Sequence, residues 1–499
     1  MIVALAVLLA VAGIVVSRRA TASGRLPEGK RPVTIDDSVG LKMVMGAQIS
    51  PDGTRVLFAV RGWEWPGNKV EIDKGARGPE ARSHIWMAPS SGNEAARQIT
   101  NGERGESSPN WSPDGKYISF VATRGAAANP ADPASGPKGQ IFLMRADGGE
   151  AQQLTDAKEG VMSYEWAPDG KRIAFVARDS WPKDEEEARR RKDDEKVFEG
   201  DEPKQHIWTI DVESKKAEQV TSGAEFSASG PSWSPDGTRI AFASRKTALI
   251  RDERSDVLIV TVATKQVESV AATASQEGAP AWSPDGKTIA YTMTPKGDSH
   301  TNADGISTRP LYNSHLMLYD LGTKQARDVA DPSFDYSVAG VKWTPDSRRL
   351  LCNVGDRVYR SVFAYDVAAK RYNRVTKDQM ISFGSMSKDG SKVAFTMDSP
   401  NAPADVYVSG ADFASPRKLS AVNPEANDFA LGETEVLTWK SSDGWPIEGV
   451  LVKPVGYEPG KKYPMLVDVH GGPTGAHTNG FKVGVHNGAQ LWAGRGWAV

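Results

Sequence analysis

The decapeptide WSPDGTRIAF at residues 233–242 recurs with small changes at six other places, and no other feature constrains the fold as strongly. The copies are ISPDGTRVLF (49–58), WSPDGKYISF (111–120), WAPDGKRIAF (166–175), WSPDGKTIAY (282–291), WTPDSRRLLC (343–352) and MSKDGSKVAF (386–395). Their aspartates fall at 52, 114, 169, 236, 285, 346 and 389, an irregular period of 43 to 67 residues. Self-similarity on this scale marks a repeat architecture. Within each copy Pro presets φ at the first turn position, Asp bonds its own backbone and Gly accepts a positive φ, so the copy reads as two strands joined by a tight turn. After the turn, Ile240 and Phe242 alternate with Arg239 and Ala241, the period-two pattern of a strand with one buried face.

A second pattern follows each first one, as in HIWMAPSSGNEAARQIT (84–100), QIFLMRADGGEAQQLT (140–155) and HIWTIDVESKKAEQVT (206–221). It adds a third strand, a turn and a fourth strand. Four antiparallel strands per repeat, seven times over, predict a mostly β chain whose residues 47–420 form a seven-bladed β-propeller.

Charge is balanced, with 61 basic against 63 acidic residues, so the basic stripe of a nucleic-acid binder is absent. The one cysteine, Cys352, stands where other repeats carry the Phe of the second strand. It reads as a core residue that has no partner for an internal disulfide. Residues 2–16 are an apolar run of fifteen, shorter than the ~20 residues of a membrane helix, and Ala20-Thr21-Ala22 offers a cleavage site. Residues 1–22 are therefore expected to be an export signal, which places the protein in the periplasm or outside the cell. Because Arg18 and Arg19 follow the run and no basic residue precedes it, an uncleaved membrane anchor is the alternative. Residues 23–46 form an N-terminal extension.

Insertions separate the second and third strands of the first five repeats. The third insertion packs ten acids and seven bases into residues 183–204. Its interdigitated signs favour a solvated helix with i,i+4 pairs over a single-sign tail. By strand parity, the connections between second and third strands and the exit near residue 421 lie on one face, so the insertions are expected to border whatever follows.

Residues 421–499 are a different domain, opening with strands at 435–440 and 447–453 around Ser442-Asp443-Gly444. Residues 465–469 read as a short apolar strand broken by His470-Gly471-Gly472-Pro473, and residues 495–499 as the entry to another strand. A glycine turn leaving a strand exposes backbone N–H groups; in α/β-hydrolases the loop after the third strand gives one such donor to the oxyanion of a tetrahedral intermediate. Gly471 and Gly472 are the candidate oxyanion-hole donors.

The SPDG repeats followed by SSDGWPIEG (441–449) and VDVHGGPTG (467–475) resemble the prolyl oligopeptidase family of serine peptidases, in its acylaminoacyl-peptidase and dipeptidyl-peptidase-like branch. The resemblance covers nearly the whole chain after residue 40. It implies a propeller gating access to an α/β-hydrolase domain that cleaves short peptides with Ser, Asp and His, the Ser lying in a G-x-S-x-G elbow downstream. No G-x-S-x-G occurs here. The triad is accordingly expected beyond Val499, the 421–499 domain is expected to be an incomplete start, and the polypeptide as given is expected to be inactive. No catalytic residue is assigned within it. His84, His206 and His315 are repeat positions, while His477 and His486 follow the glycine turn too closely to be the base of this family. No cluster has metal-ligand spacing, and neither metal nor cofactor is expected. Peptides are the expected partners. The competing reading is a non-enzymatic periplasmic propeller that binds or scaffolds.

Overall fold

The computed structural model describes residues 26–64, 80–125, 136–191, 193, 202–246, 254–271, 273, 275–278, 280–295, 300–301, 307–308, 313–329, 334–471, 475–484 and 488–499. Residues 1–22 and parts of the five insertions lie outside them. Among the described residues no helix is long and apolar enough to cross a membrane. The chain divides into two compact units: one holds Lys42–Ser399 and Pro403–Asn423, the other Pro400–Ala402, Pro424–Val499 and the N-terminal segment as far as Leu41.

The larger unit is built of antiparallel meanders, seven among the described residues. The first runs Met43–Ile49, Arg55–Glu64, Glu80–Pro89, Arg97–Gln98, and the second Glu106–Trp111, Tyr117–Ala122, Gln140–Arg145, Gln152–Gln153. The third comprises Val161–Trp166, Arg172–Arg178, Gln205–Asp211 and Ala217–Gln219; the fourth comprises Ser227–Trp233, Arg239–Arg245, Asp256–Thr261 and Val267–Ala271. In the fifth, the first strand is broken into Gln276–Glu277 and Ala281–Trp282, both paired with Thr288–Thr294. The sixth and seventh meanders share one eight-stranded sheet through a single parallel pairing of Arg360 with Met380.

Each repeat turn is stitched by its aspartate. Asp236 Oδ1 accepts from the Thr238 N–H at 3.0 Å and from the Ser234 hydroxyl at 2.5 Å, and Ser234 Oγ accepts from Arg239 N–H at 2.9 Å. The same backbone bond forms at Asp52, Asp114, Asp169, Asp285, Asp346 and Asp389. The glycine that follows has positive φ, for example +72° at Gly115. A Cβ there would meet only Pro51 Cδ, at an ordinary 3.7 Å. Gly115→Ala therefore isolates the backbone cost, and a urea midpoint corresponding to a loss of about 1–2 kcal/mol is expected; no change would mean that the turn relaxes. At the end of five of the repeats a hydroxyl clips the third strand: Thr100, Thr155, Thr221, Thr376 and Ser420 accept from the N–H of Ile85, Ile141, Ile207, Val362 and Val406.

The tryptophan opening a repeat copy reaches back to the preceding meander. Trp111 Nε1 donates to Gln48 O at 2.9 Å, Trp166 to Ser119 Oγ at 2.8 Å and Trp343 to Ala281 O at 3.0 Å. Arg55, Arg172 and Arg239, at one position of the repeat, lie over Trp111, Trp233 and Trp282 of the next copy at 4.8–5.0 Å. Buried side chains from adjacent meanders merge into shared clusters, and one cluster joins Ala47, Ile49, Val56 and Phe58 of the first meander to Ala394, Val406 and Val408 of the seventh. The first and seventh also meet through Ile49 N–H on Ser385 Oγ at 2.7 Å and Lys388 N–H on Pro51 O at 2.9 Å. No strand ladder joins them among the described residues. The charged insertion bears a helix, Lys183–Arg190, as its sign pattern predicts.

In the smaller unit the hairpin Thr434–Lys440 and Pro446–Val452 turns at Ser441–Gly444, one residue offset from expectation on the second strand. Arg31–Pro32 pairs in parallel with Phe429–Ala430, beside the helix Ile35–Gly40 capped by Thr34 and Asp37. Val452 and Val499 exchange both backbone bonds at 2.8 and 2.9 Å. Ala498 also bridges Met465 in parallel. The expected strand at 465–469 is corrected to that single position, because residues 467–469 pair with no neighbour among the described residues; Val467 and Val469 stand 70% and 81% exposed.

Candidate functional site

The segment after Met465 is positioned by two elements. Leu466 N–H donates to Ala498 O at 2.9 Å and Ala498 N–H to Pro464 O at 2.9 Å, so the C-terminal residues lie between residue 465 on one side and Val452 on the other. Between the parallel partners Met465 and Ala498 the chain crosses over through the helix Ala489–Ala493. That helix is pinned by Gln490, fully buried, whose amide accepts from Gly432 N–H at 2.7 Å and donates to Gly432 O at 3.0 Å. A parallel pair joined by a helical crossover is the βαβ arrangement, and Asp468 to Gly471 leave the carboxyl end of its first strand.

At that end the backbone folds back, with Gly475 N–H donating to Gly471 O at 3.1 Å. Gly471 is exposed, and a Cβ there would meet no described atom within 4 Å. Gly472, Pro473 and His486 lie outside the described residues. His470 Nδ1 sits 3.4 Å from Gly471 O, and its ring meets His477 edge-on at 6.3 Å. His477 Nε2 is in turn 3.4 Å from Asp468 Oδ2. Among the described residues, therefore, neither histidine is bonded to a hydroxyl or thiol it could activate, and Gly471 is the expected donor that lies within them.

Three other histidines are built into the meanders. His84 is buried with Nδ1 2.9 Å from Glu106 Oε2, which also accepts from Thr100 Oγ1. His206, 1% exposed, lies between Thr221 Oγ1 and Asp179. His315 pairs with Asp328 at 2.8 Å. Burial pushes the Cys352 thiol up to about 12, which removes it as a thiolate nucleophile near neutral pH. No group of three His, Cys, Asp or Glu residues among those described could hold a metal ion. Sequence reasoning sets His477 aside as too near the glycine turn to be a base; it misses Asp468 as its partner, although the two bracket the turn.

No family model matches the chain. It is 25% identical over 470 residues to a Bacillus subtilis protein named uncharacterized peptidase YuxL, covering 89% of this chain and 67% of that protein. It is 24% identical over 464 residues to dipeptidyl-peptidase 5 of Porphyromonas gingivalis, covering 87% and 62%. Among solved structures, the Pyrococcus horikoshii acylaminoacyl peptidase superposes with a TM-score of 0.66 at 18% identity, over 92% of this chain and 64% of that one. The β-propeller domain of the Trilobed protease from Pyrococcus furiosus gives 0.51 at 15% identity, over 77% of this chain and 96% of that domain. The chain thus spans about two thirds of the length of the whole peptidases it matches. Along most of its length the chain is thus similar to named peptidases and shares the fold of an acylaminoacyl peptidase, in agreement with the resemblance to the prolyl oligopeptidase family carried by its motifs.

Proposed function

We propose that this chain supplies the propeller and the opening of the catalytic domain of a serine-type peptidase acting on short peptides. The observation that carries the reading is the crossover from Met465 to Ala498 with the Gly471 turn at the carboxyl end of its first strand, following directly on SPDG meanders. Ligand sites of α/β sheets lie at such strand ends, and the turn offers donors of the oxyanion type. The seven meanders are the blades of one ring, a reading supported by the shared core of the first and seventh. The insertions between second and third strands, among them the one that bears the charged helix Lys183–Arg190, select peptides by size. The exposed Val467 and Val469 are the apolar row that further strands and covering helices of an α/β domain would bury. Residues 1–22 export the protein to the periplasm or beyond, and if they are retained they anchor it to the membrane.

Activation of a serine requires an adjacent base oriented by a third group. No residue of this chain is assigned those roles, so catalysis by the whole protein requires them from further sequence. The test is to express residues 23–499 beside the gene's full reading frame and expose both to a fluorophosphonate probe. Labelling of the full frame alone is the expected result. Labelling of neither favours a binding or scaffold propeller, and labelling of the short form would reveal a working serine within these residues and end this reading.

A further inference from the structure

We infer that Asn423 is a clasp that delivers residues 26–41 to their docking place, so that closure of the meander unit is coupled to completion of the smaller unit. Asn423 is buried, and its amide copies a strand neighbour. Lys42 N–H donates to its Oδ1 at 2.8 Å and its Nδ2 donates to Lys42 O at 2.9 Å, although the two residues stand 381 positions apart. Both belong to the meander unit, while the adjoining residues Leu41 and Pro424 belong to the smaller one. There residues 26–41 form a strap. Arg31–Pro32 pairs with Phe429–Ala430, the Arg31 guanidinium lies 4.9 Å from the centre of the Phe429 ring, and Lys30 Nζ bonds Asn427 O. Val33 is buried with Ala426, Phe429 and Val483. Leu26 packs on the cluster of Ala430, Val452, Ala489 and Ala493, which takes in the crossover helix Ala489–Ala493.

The strap cannot order itself. Its helix has six residues, too few to stand alone in water, and its strand has two. Among its apolar side chains Val33 is buried outright, whereas Ile35 and Val39 are exposed. Against that small burial stands the conformational entropy of ordering the whole segment. A strap docking on its own would also have to close a loop of nearly 400 residues, at an entropy cost that grows with loop length. The clasp removes this second cost, because with Lys42 bonded to Asn423 the strap and its docking strip, residues 424–430, leave the meander unit together. Opening the clasp frees the strap and uncovers the clusters around Phe429 and Ala489. The state of the meander unit thereby reaches the crossover that frames the candidate site.

The test is amide exchange in the chain of residues 23–499, with Asn423→Ala and, separately, Val33→Ala. Loss of the two clasp bonds is expected to accelerate exchange of peptides covering 26–41 and 424–431 about tenfold. Peptides covering 489–499 should move in the same direction, while those at 117–122 and 239–245, in the second and fourth meanders, keep their wild-type rates. Val33→Ala weakens docking from the strap's side and is expected to accelerate 26–41, 424–431 and 489–499 without touching the same two meander peptides. An Asn423→Ala chain whose strap exchanges as in the wild type overturns the clasp. Acceleration spread equally over every peptide overturns it as well, since Asn423 would then only hold the meanders together. A Val33→Ala chain in which 424–431 and 489–499 exchange at the wild-type rate shows that the strap braces nothing, and the coupling falls with it.

Discussion

Phe242→Ala is expected to lower the unfolding free energy of the meander unit by about 3–5 kcal/mol, the range for deleting a large aromatic from a closed core. Phe242 has no exposed surface and packs with Val176 and Ile207 of the third meander and with Trp233, Ile240 and Val260 of its own. Its ring lies 5.5 Å from that of Phe226. Because the site draws on two meanders held by hydrogen-bonded strands, it has little room to collapse, which puts the cost at the upper part of the range. Urea denaturation followed by intrinsic fluorescence measures the loss; a change below about 1 kcal/mol would mean that the neighbouring meanders do not share a core there. The equivalent position in the sixth repeat makes the converse case. Cys352 is also fully buried, in a cluster with Phe363 and Tyr365 against which Phe334 packs. Restoring the repeat residue with Cys352→Phe should therefore cost about 1–3 kcal/mol by overpacking, although every other copy carries an aromatic there.

That pair of positions shows what could be read from the chain without its structure. The strand pairs, the Asp turns and the alternation of buried residues follow from local chemistry, since the turn residue types fix φ and the period-two pattern fixes the face. The charged helix Lys183–Arg190 was legible for the same reason. What sequence could not show depends on neighbours distant in the chain. Which aromatics pack around Cys352, namely Phe334, Phe363 and Tyr365, is one such feature. The apolar run at 465–469 has the composition of a strand, but a strand is a pairing, and only Met465 has found a partner. The N-terminal segment reads only as an extension too short to be a domain, and its partners are not legible: Arg31 and Pro32 pair with Phe429 and Ala430 nearly 400 residues away. In the candidate site, HGGP marks the donors that the sequence leads one to expect, whereas the Asp468–His477 contact was hidden because a contact between residues nine apart depends on the fold and not on residue type.

Between pH 5 and pH 8 the protein is expected to lose roughly 2–3 kcal/mol of stability that a Glu165→Gln variant keeps. Glu165 lies on the first strand of the third meander, and its Oε2 accepts from Trp233 N–H of the fourth at 2.8 Å. Burial pushes its carboxyl up to about 7, opposed by that N–H and by the Lys342 ammonium. A carboxyl with a raised folded-state pKa favours folding when protonated. Its contribution is complete below the unfolded value of about 4.5 and drains away as pH rises through about 7. Glutamine can still accept from Trp233 but cannot ionise, so the variant should gain on the wild type as pH rises, while the depressed aspartates of the turns, such as Asp389 at about 2, cancel in the comparison. Parallel profiles would show that Glu165 is not desolvated. The cause reaches further than one residue, because Lys342 belongs to the first strand of the sixth meander, at the same repeat position as Glu165 in the third: each directly precedes the repeat tryptophan. Were the meanders stacked in an open row, three repeats of separation would place the ammonium too far away to be felt through salt-screened water. Around a ring of seven the two first strands face the same axis. Lys342→Met should then move the Glu165 titration to higher pH, and an unmoved midpoint would count against ring closure.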